Sequence, residues 1–326
     1  MANSNSDRPS EFALIAELFA PLAKNAPGAL GLLDDAALVA PPPGHELVVT
    51  ADALVAGVHF LPGDPPDQIA KKALRVNLSD LAAKGAEPAG YLLALMLPAT
   101  MDMAWLRQFA QGLGADQEEF GLSLLGGDTT ATPGPLSIAI TALGFVPAGK
   151  MIRRAGAAAG DCVFVSGTVG DAGAGLAILK GEAPQDNWLI ARYRVPEPRL
   201  ALGNALRGIA TAGLDVSDGL LADLGHLAEV SKVRIAVMAS AVPRSAALRA
   251  QTGDGVDAVV RAATAGDDYE LAFTASAKNR AAVLEAAWLT GIAVSEIGRV
   301  EAGEGVVLLD QHRHEILVPR RGFTHF

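Results

Sequence analysis

A chain of 326 residues has room for two hydrophobic cores, and half of its residues are hydrophobic. Ala and Gly carry much of that fraction, and the longest apolar runs, 91–97 and 136–146, are too short or too interrupted to span a bilayer. A formal charge of −10 argues against a general nucleic-acid binder, and a single cysteine, Cys162, excludes an internal disulfide or a Cys-based metal site.

The start, MANSNSDRPSE, is polar and has no apolar stretch of the kind a secretory signal needs, so a cytoplasmic protein fits best. Phe12, Ile15, Leu18 and Leu22 have helical spacing over 11–24. A strand is predicted at 46–51, a helix at 68–84, a strand at 91–97 and a helix at 103–119. Strands at 122–125 and 136–145 follow. Pro147, Gly149 and the basic stretch 150–154 mark a boundary, giving domains 1–149 and 150–326.

The second half opens with a strand at 162–166, and a glycine-rich turn leads into a helix at 174–179. Two helices flank 192–197, and the segment 214–216 runs into a helix from Leu220. A strand at 234–238, helices within 244–262 and a strand at 270–274 come next. A helix at 277–288 and strands near 293–300 and 306–309 close the chain. Strands alternating with helices in both halves predict α/β or α+β domains.

The chemistry is concentrated in aspartates at expected element junctions. Asp35 lies in LLDDAAL, Asp52 at the expected end of ELVVTAD, and Asp80 on a helix face with Asn77. Asp128 sits at the expected end of LLGGDTT, and Asp215 and Asp218 lie in DVSDGL. In open α/β sheets, ligands gather at the carboxyl ends of strands and the helix N-termini beside them. Two such carboxylates about 4 Å apart repel by roughly 4 kcal/mol at an effective dielectric near 20. A divalent cation removes that cost, and oxygen-only ligands favour Mg²⁺ or Ca²⁺ over zinc. Taken singly, an Asp before a helix is usually an N-cap; six in this arrangement point to a metal cluster.

Two apparent phosphate loops fare worse. GFVPAGKM (144–151) matches the spacing of a P-loop but places Met151 where a metal-binding hydroxyl is needed, with Pro147 inside the loop. GTVGDAGAG (167–175) reads as a tight strand-to-helix turn before it reads as a phosphate cradle. No Ser/His/Asp or Cys/His nucleophile arrangement is recognisable.

Five segments in order, VTADALVAGVHF (49–60), KALRVNLSDLAAKGAEP (72–88), LLGGDTT (124–130), DVSDGLLADLGH (215–226) and GDDYEL (266–271), resemble the thiamine-monophosphate kinase family over nearly the whole chain. The resemblance implies the two-domain α/β architecture shared with aminoimidazole ribonucleotide synthetase and selenophosphate synthetase. It further implies a homodimer whose N-terminal domains close a β-barrel, and an ATP site in the cleft that the C-terminal domain completes. The implied reaction is direct in-line transfer of a phosphoryl group from ATP to thiamine monophosphate, with Mg²⁺ and without a phosphoenzyme.

Carried over residue by residue, the resemblance assigns Mg²⁺ to Asp35, Thr50, Ala51, Asp52, Asp80, Asp128, Asp215 and Asp218, with Ala51 acting through its carbonyl. Gly127, Asp128, Arg154 and Ser217 would contact ATP, and Asp80, Asp128 and Arg154 would serve the transfer. His59, Asp267 and Phe323 would contact the acceptor. The chain departs from the family pattern at Leu33 (usually Gly), at Ala51 (usually a hydroxyl residue) and at Asp267 (often Glu), and none of these removes a metal carboxylate. ATP and thiamine monophosphate are the expected partners, with no nucleic acid and no membrane. A sibling synthetase and a non-catalytic nucleotide-binding relative remain alternatives.

Overall fold

The computed structural model describes residues 10–323. Contacts divide the chain into two compact units: residues up to Leu81 with Glu87–Ala148, and Ala82–Ala86 with the chain from Gly149 onward.

In the first unit, α1 (Glu11–Leu14) continues as a π turn (Ile15–Phe19) and a 3₁₀ turn (Ala20–Ala23) rather than one regular helix. Pro21 is the local cause, since its ring denies the α-helical hydrogen bond at that turn. Four strands follow, β1 (His45–Val55), β2 (Glu87–Leu97), β3 (Ser123–Ala131) and β4 (Ser137–Pro147), with α2 (Pro66–Ala83) between β1 and β2 and α3 (Met103–Phe120) between β2 and β3. The sheet order is β1-β4-β2-β3; only β2 and β3 run parallel, as their helical crossover requires.

This sheet is open, and one face is covered. Ile138, Ile140, Ala142 and Val146 of β4 are buried while the alternate positions are half-exposed. On the covered side Gln117 of α3 donates to the Tyr91 hydroxyl of β2, and Arg75 of α2 grips Asp116 of α3 through two bonds of 2.8 Å. On the other side Leu47, Val49 and Leu92 are exposed.

The second unit holds seven strands: β5 (Cys162–Ser166), β6 (Ala210–Asp215), β7 (Arg234–Met238), β8 (Leu271–Ala275), β9 (Val294–Glu301), β10 (Gly305–Leu309) and β11 (Glu315–Ile316). Their order is β11-β10-β7-β9-β5-β8-β6. The helices are α4 (Asp171–Leu179), α5 (Asn187–Arg194), α6 (Leu200–Ala205), α7 (Leu220–Ser231), α8 (Ala246–Thr252), α9 (Val256–Thr264) and α10 (Arg280–Thr290). β5 and β8 are buried at every position, which explains why CVFVS and LAFTA are largely apolar without alternation. Alternate residues of β5 enter different cores: Val163 and Val165 join Leu214 and Leu224, whereas Cys162 and Phe164 join Phe273 and Leu206. No described helix is long and apolar enough to cross a membrane.

Candidate active site

In the first unit, β1 carries Thr50, Ala51 and Asp52. Its register sets Thr50 opposite Ala142 and Asp52 opposite Ile140, both buried, so these two side chains project to the covered face, towards α2. There the Thr50 hydroxyl donates to Asp80 Oδ2. Asp52 has its pKa pushed up to about 6, first by burial and then by the charge of Asp80. One turn earlier on α2, Asn77 is fully buried. Its Nδ2 donates to the Ala73 carbonyl at 3.0 Å, while Oδ1 has no partner among the described residues. Two mutually repelling carboxylates and a hydroxyl form an all-oxygen donor set, which fits Mg²⁺. Ala51 points to the open face, so only its backbone is available to such a site.

The raised pKa has a sign that follows from linkage. Between the unfolded value near 3.8 and the folded value near 6, the native state holds a proton that the unfolded chain has released. The Asp52 contribution therefore favours the fold below about pH 4 and is lost as pH rises through 6. Asp52→Asn should remove this slope: relative to wild type in chelator, the variant gains melting temperature as pH goes from 4 to 7. A constant difference between the two proteins over that range refutes this account.

Asp35, Gly127 and Asp128 line a separate cavity of about 560 Å³, whose apolar wall includes Leu92, Leu125 and Leu143. Asp35 follows Asp34, whose Oδ1 accepts the Asp35 N–H at 2.8 Å. Gly127 has φ 156, and a Cβ there would lie 1.8 Å from the Leu93 carbonyl oxygen, so a side chain is excluded where β3 passes β2. Asp128 is exposed and pairs in register with Ala94, on the face opposite that of Leu93, Ile140 and Asp52. The sequence-predicted aspartates of this unit thus fall into two groups, Asp52 with Asp80 and Asp35 with Asp128. Asp52 and Asp128 were expected at strand ends, yet both are inside strands. β1 stays paired with β4 through Val55, and β3 with β2 through Ala131. His59 Nδ1 accepts the Val55 N–H at 3.0 Å and closes the turn that follows β1.

In the second unit the segment between β6 and α7 is folded around one carboxylate. The amides of Ser217, Asp218 and Gly219 all donate to Asp223 Oδ2, at 3.0, 3.1 and 3.1 Å. Asp223 is buried, and its pKa is pushed up to about 7 by that burial and then by the charge of Asp218. Ligand atoms of Asp218, Asp223 and His226 lie within 4.8 Å of one another, and Asp215 ends β6 just before the turn.

The carbonyls of this turn hold two of the residues assigned to the acceptor. Ser217 O accepts the Asp267 N–H at 2.8 Å, and Asp218 O accepts the Phe323 N–H at 3.0 Å. Ser217, Asp218, Asp267 and Phe323 are therefore brought together, with Phe323 44% exposed. Arg154 is exposed in the stretch that follows β4. At the end of the glycine-rich turn and the start of α4, the amides of Gly170 and Ala172 are turned inward, donating to the buried Asp268 at 2.6 and 3.3 Å. Sequence reasoning missed Asp223 and Asp268. Asp223 lies in the first turn of α7, where an acid is unremarkable, and Asp268 looks like a repeat of its neighbour.

Comparison with known proteins agrees over both units. The family model for the AIR synthase related protein N-terminal domain matches residues 33–146, and that for the C-terminal domain matches 158–311. A thiamine-monophosphate kinase of Caulobacter vibrioides is 46% identical over 321 residues, 97% of this chain and 91% of its own. A crystal structure of thiamine-monophosphate kinase from Stenotrophomonas maltophilia is 44% identical with a TM-score of 0.83, covering 92% of this chain and 96% of that one. AaThiL complexed with AMPPCP and TMP is 32% identical with a TM-score of 0.78, covering 92% and 97%.

Proposed function

The chain belongs to the thiamine-monophosphate kinase family of AIR synthase related proteins, and from that membership we infer that it transfers the γ-phosphoryl group of ATP to thiamine monophosphate, giving ADP and thiamine diphosphate. The observation that carries the reading within the molecule is the Thr50–Asp52–Asp80 cluster, an acidic oxygen site whose charges are left in mutual repulsion. The relative solved with AMPPCP and TMP supports the choice of a nucleotide donor and this acceptor.

Both donor and acceptor are anionic, so the chemical problem is positioning and charge neutralisation rather than covalent catalysis. When bound, Mg²⁺ would supply that neutralisation and orient the phosphates. In the first unit Thr50, Asp52 and Asp80 would hold one set of ions, with the Ala51 carbonyl alongside, and Asp35 and Asp128 another. Gly127, which lines the same cavity as Asp35 and Asp128, would contact ATP, and His59 would contact the acceptor. In the second unit Asp215 and Asp218 would hold Mg²⁺, and Ser217 would hydrogen-bond the nucleotide. Arg154 offers a planar fork to phosphate oxygens. Asp267 pairs with the cationic acceptor, and Phe323 stacks on one of its rings. The acceptor phosphate is already ionised near neutral pH, so no strong general base is required.

The exposed apolar face of the first-unit sheet, with Leu47, Val49 and Leu92, supports a homodimer in which two such sheets close a barrel. A cytoplasmic location suits an enzyme that uses ATP and a free vitamin phosphate. The test is a chromatographic assay with purified protein, ATP, Mg²⁺ and thiamine monophosphate that follows thiamine diphosphate itself. Metal-dependent product, absent with free thiamine as acceptor, is expected; ATP binding without product overturns the reading.

A further inference from the structure

Six non-glycine residues have positive φ among the described residues, and two of them, Asp267 (φ 69) and Tyr269 (φ 52), flank Asp268 in GDDYEL. Each such backbone costs on the order of 1 kcal/mol, and the cost is unusual for an aromatic residue. The segment keeps this shape because its alternate residues are anchored. Asp268 accepts the amides of Gly170 and Ala172, and Glu270 binds Ser166, Arg192 and Arg199. Both anchors are buried, at 1% and 0% exposure. The backbone amides of Asp267 and Tyr269 donate to Ser217 and Val216, each at 2.8 Å.

The anchored pair leaves Asp267 and Tyr269 half-buried, with the Tyr269 hydroxyl donating to Asp267 Oδ1 at 3.1 Å. That bond is local, spans only two residues, and joins the strained positions to one another rather than to the core. Strained backbone held in place by its surroundings clusters at ligand sites, and here it carries a carboxylate and a phenol in hydrogen-bond contact.

We propose that Tyr269 is a positioning residue for the acceptor: its phenol holds the Asp267 carboxylate in the orientation that receives a cationic, amino-bearing heterocycle. The proposal rests on the reading of Asp267 as an acceptor contact. It assigns Tyr269 a role in acceptor recognition through Asp267, which the phenol contacts directly.

The experiment is a double-mutant cycle with Tyr269→Phe and Asp267→Ala, assayed for thiamine diphosphate formation with each substrate varied in turn. Tyr269→Phe should raise KM for thiamine monophosphate about tenfold, the scale expected for loss of a hydrogen bond to a charged group. KM for ATP should stay within about twofold, and the melting temperature should stay at the wild-type value. In the Asp267→Ala background the same change should have no further effect on acceptor KM, since the group being positioned is gone. An unchanged acceptor KM, a parallel rise in both KM values, or an effect that simply adds to that of Asp267→Ala overturns the proposal while wild-type turnover stands. A wild-type protein that makes no thiamine diphosphate overturns the parent reading, and this proposal with it.

Discussion

Asp128→Asn is expected to lower kcat by about two to three orders of magnitude while leaving the fold intact. The carboxylate is exposed on β3 beside Ala94 and lines a cavity with Asp35 and Gly127, so an isosteric amide disturbs neither a core contact nor the β2–β3 ladder. What it removes is one unit of negative charge from a set of oxygens proposed to hold Mg²⁺ against the phosphates. Losing one group that stabilises developing charge typically costs about 3–4 kcal/mol of barrier, which corresponds to that fall in rate. The Mg²⁺ concentration for half-maximal rate should rise alongside, because a neutral amide oxygen is a weaker ligand for a hard cation. Steady-state formation of thiamine diphosphate across a Mg²⁺ titration, with a circular dichroism melt of the same preparation, measures both. A folded variant that turns over at the wild-type rate at ordinary Mg²⁺ sinks the assignment of Asp128 to a metal.

Much of this arrangement is legible in the sequence where side-chain patterning is set by burial. CVFVS and LAFTA read as buried strands because both of their faces are covered, and the strands at 162–166 and 234–238 fall where the apolar runs begin and end. Patterning fails where a strand runs past its apolar stretch. β1 continues through Ala51–Asp52–Ala53 because β4 lies beside it, and that partner is invisible to a local reading. The same blindness placed Asp128 at the end of β3. It also hid the division of Asp52 and Asp128 between two faces of one sheet, since faces depend on register rather than on residue type. The ordered motifs single out Asp267 and Phe323, which the family resemblance assigns to the acceptor, but not the two carbonyls of the Ser217–Asp218 turn that hold them, because backbone acceptors leave no trace in composition. Asp223 is the plainest case. Its carboxylate organises three amides of that turn, yet in sequence it is one more acid in a first helical turn.

The second large effect is on stability. Glu270→Ala should cost about 3–5 kcal/mol, the range for breaking a buried ion pair by removing one partner. Glu270 is fully buried and takes four bonds: the Ser166 hydroxyl at 2.6 Å, Arg192 Nη2 at 2.9 Å, and Arg199 Nε and Nη2 at 2.7 and 2.6 Å. Gly167, at φ 53, is shaped to this carboxylate, since a Cβ there would lie 2.2 Å from Glu270 Oε1. Truncation leaves the buried Arg192 guanidinium with a carbonyl of Asp268 at 3.3 Å and the exposed Glu197 at 3.5 Å, too little to repay its desolvation. At about 2–4 °C per kcal/mol for a unit of this size, the melting temperature should fall by on the order of 10 °C. Glu270→Gln keeps the shape and one acceptor oxygen, and should lose less. Replacing Glu270, Arg192 and Arg199 together by apolar residues of similar volume should recover part of the loss, because the penalty lies in the orphaned charges rather than in the missing bonds. Calorimetric melts of the three variants decide it. If Glu270→Ala melts within about 2 °C of wild type, the network does not hold this unit together, and the anchoring of the Asp267–Tyr269 segment must come from elsewhere.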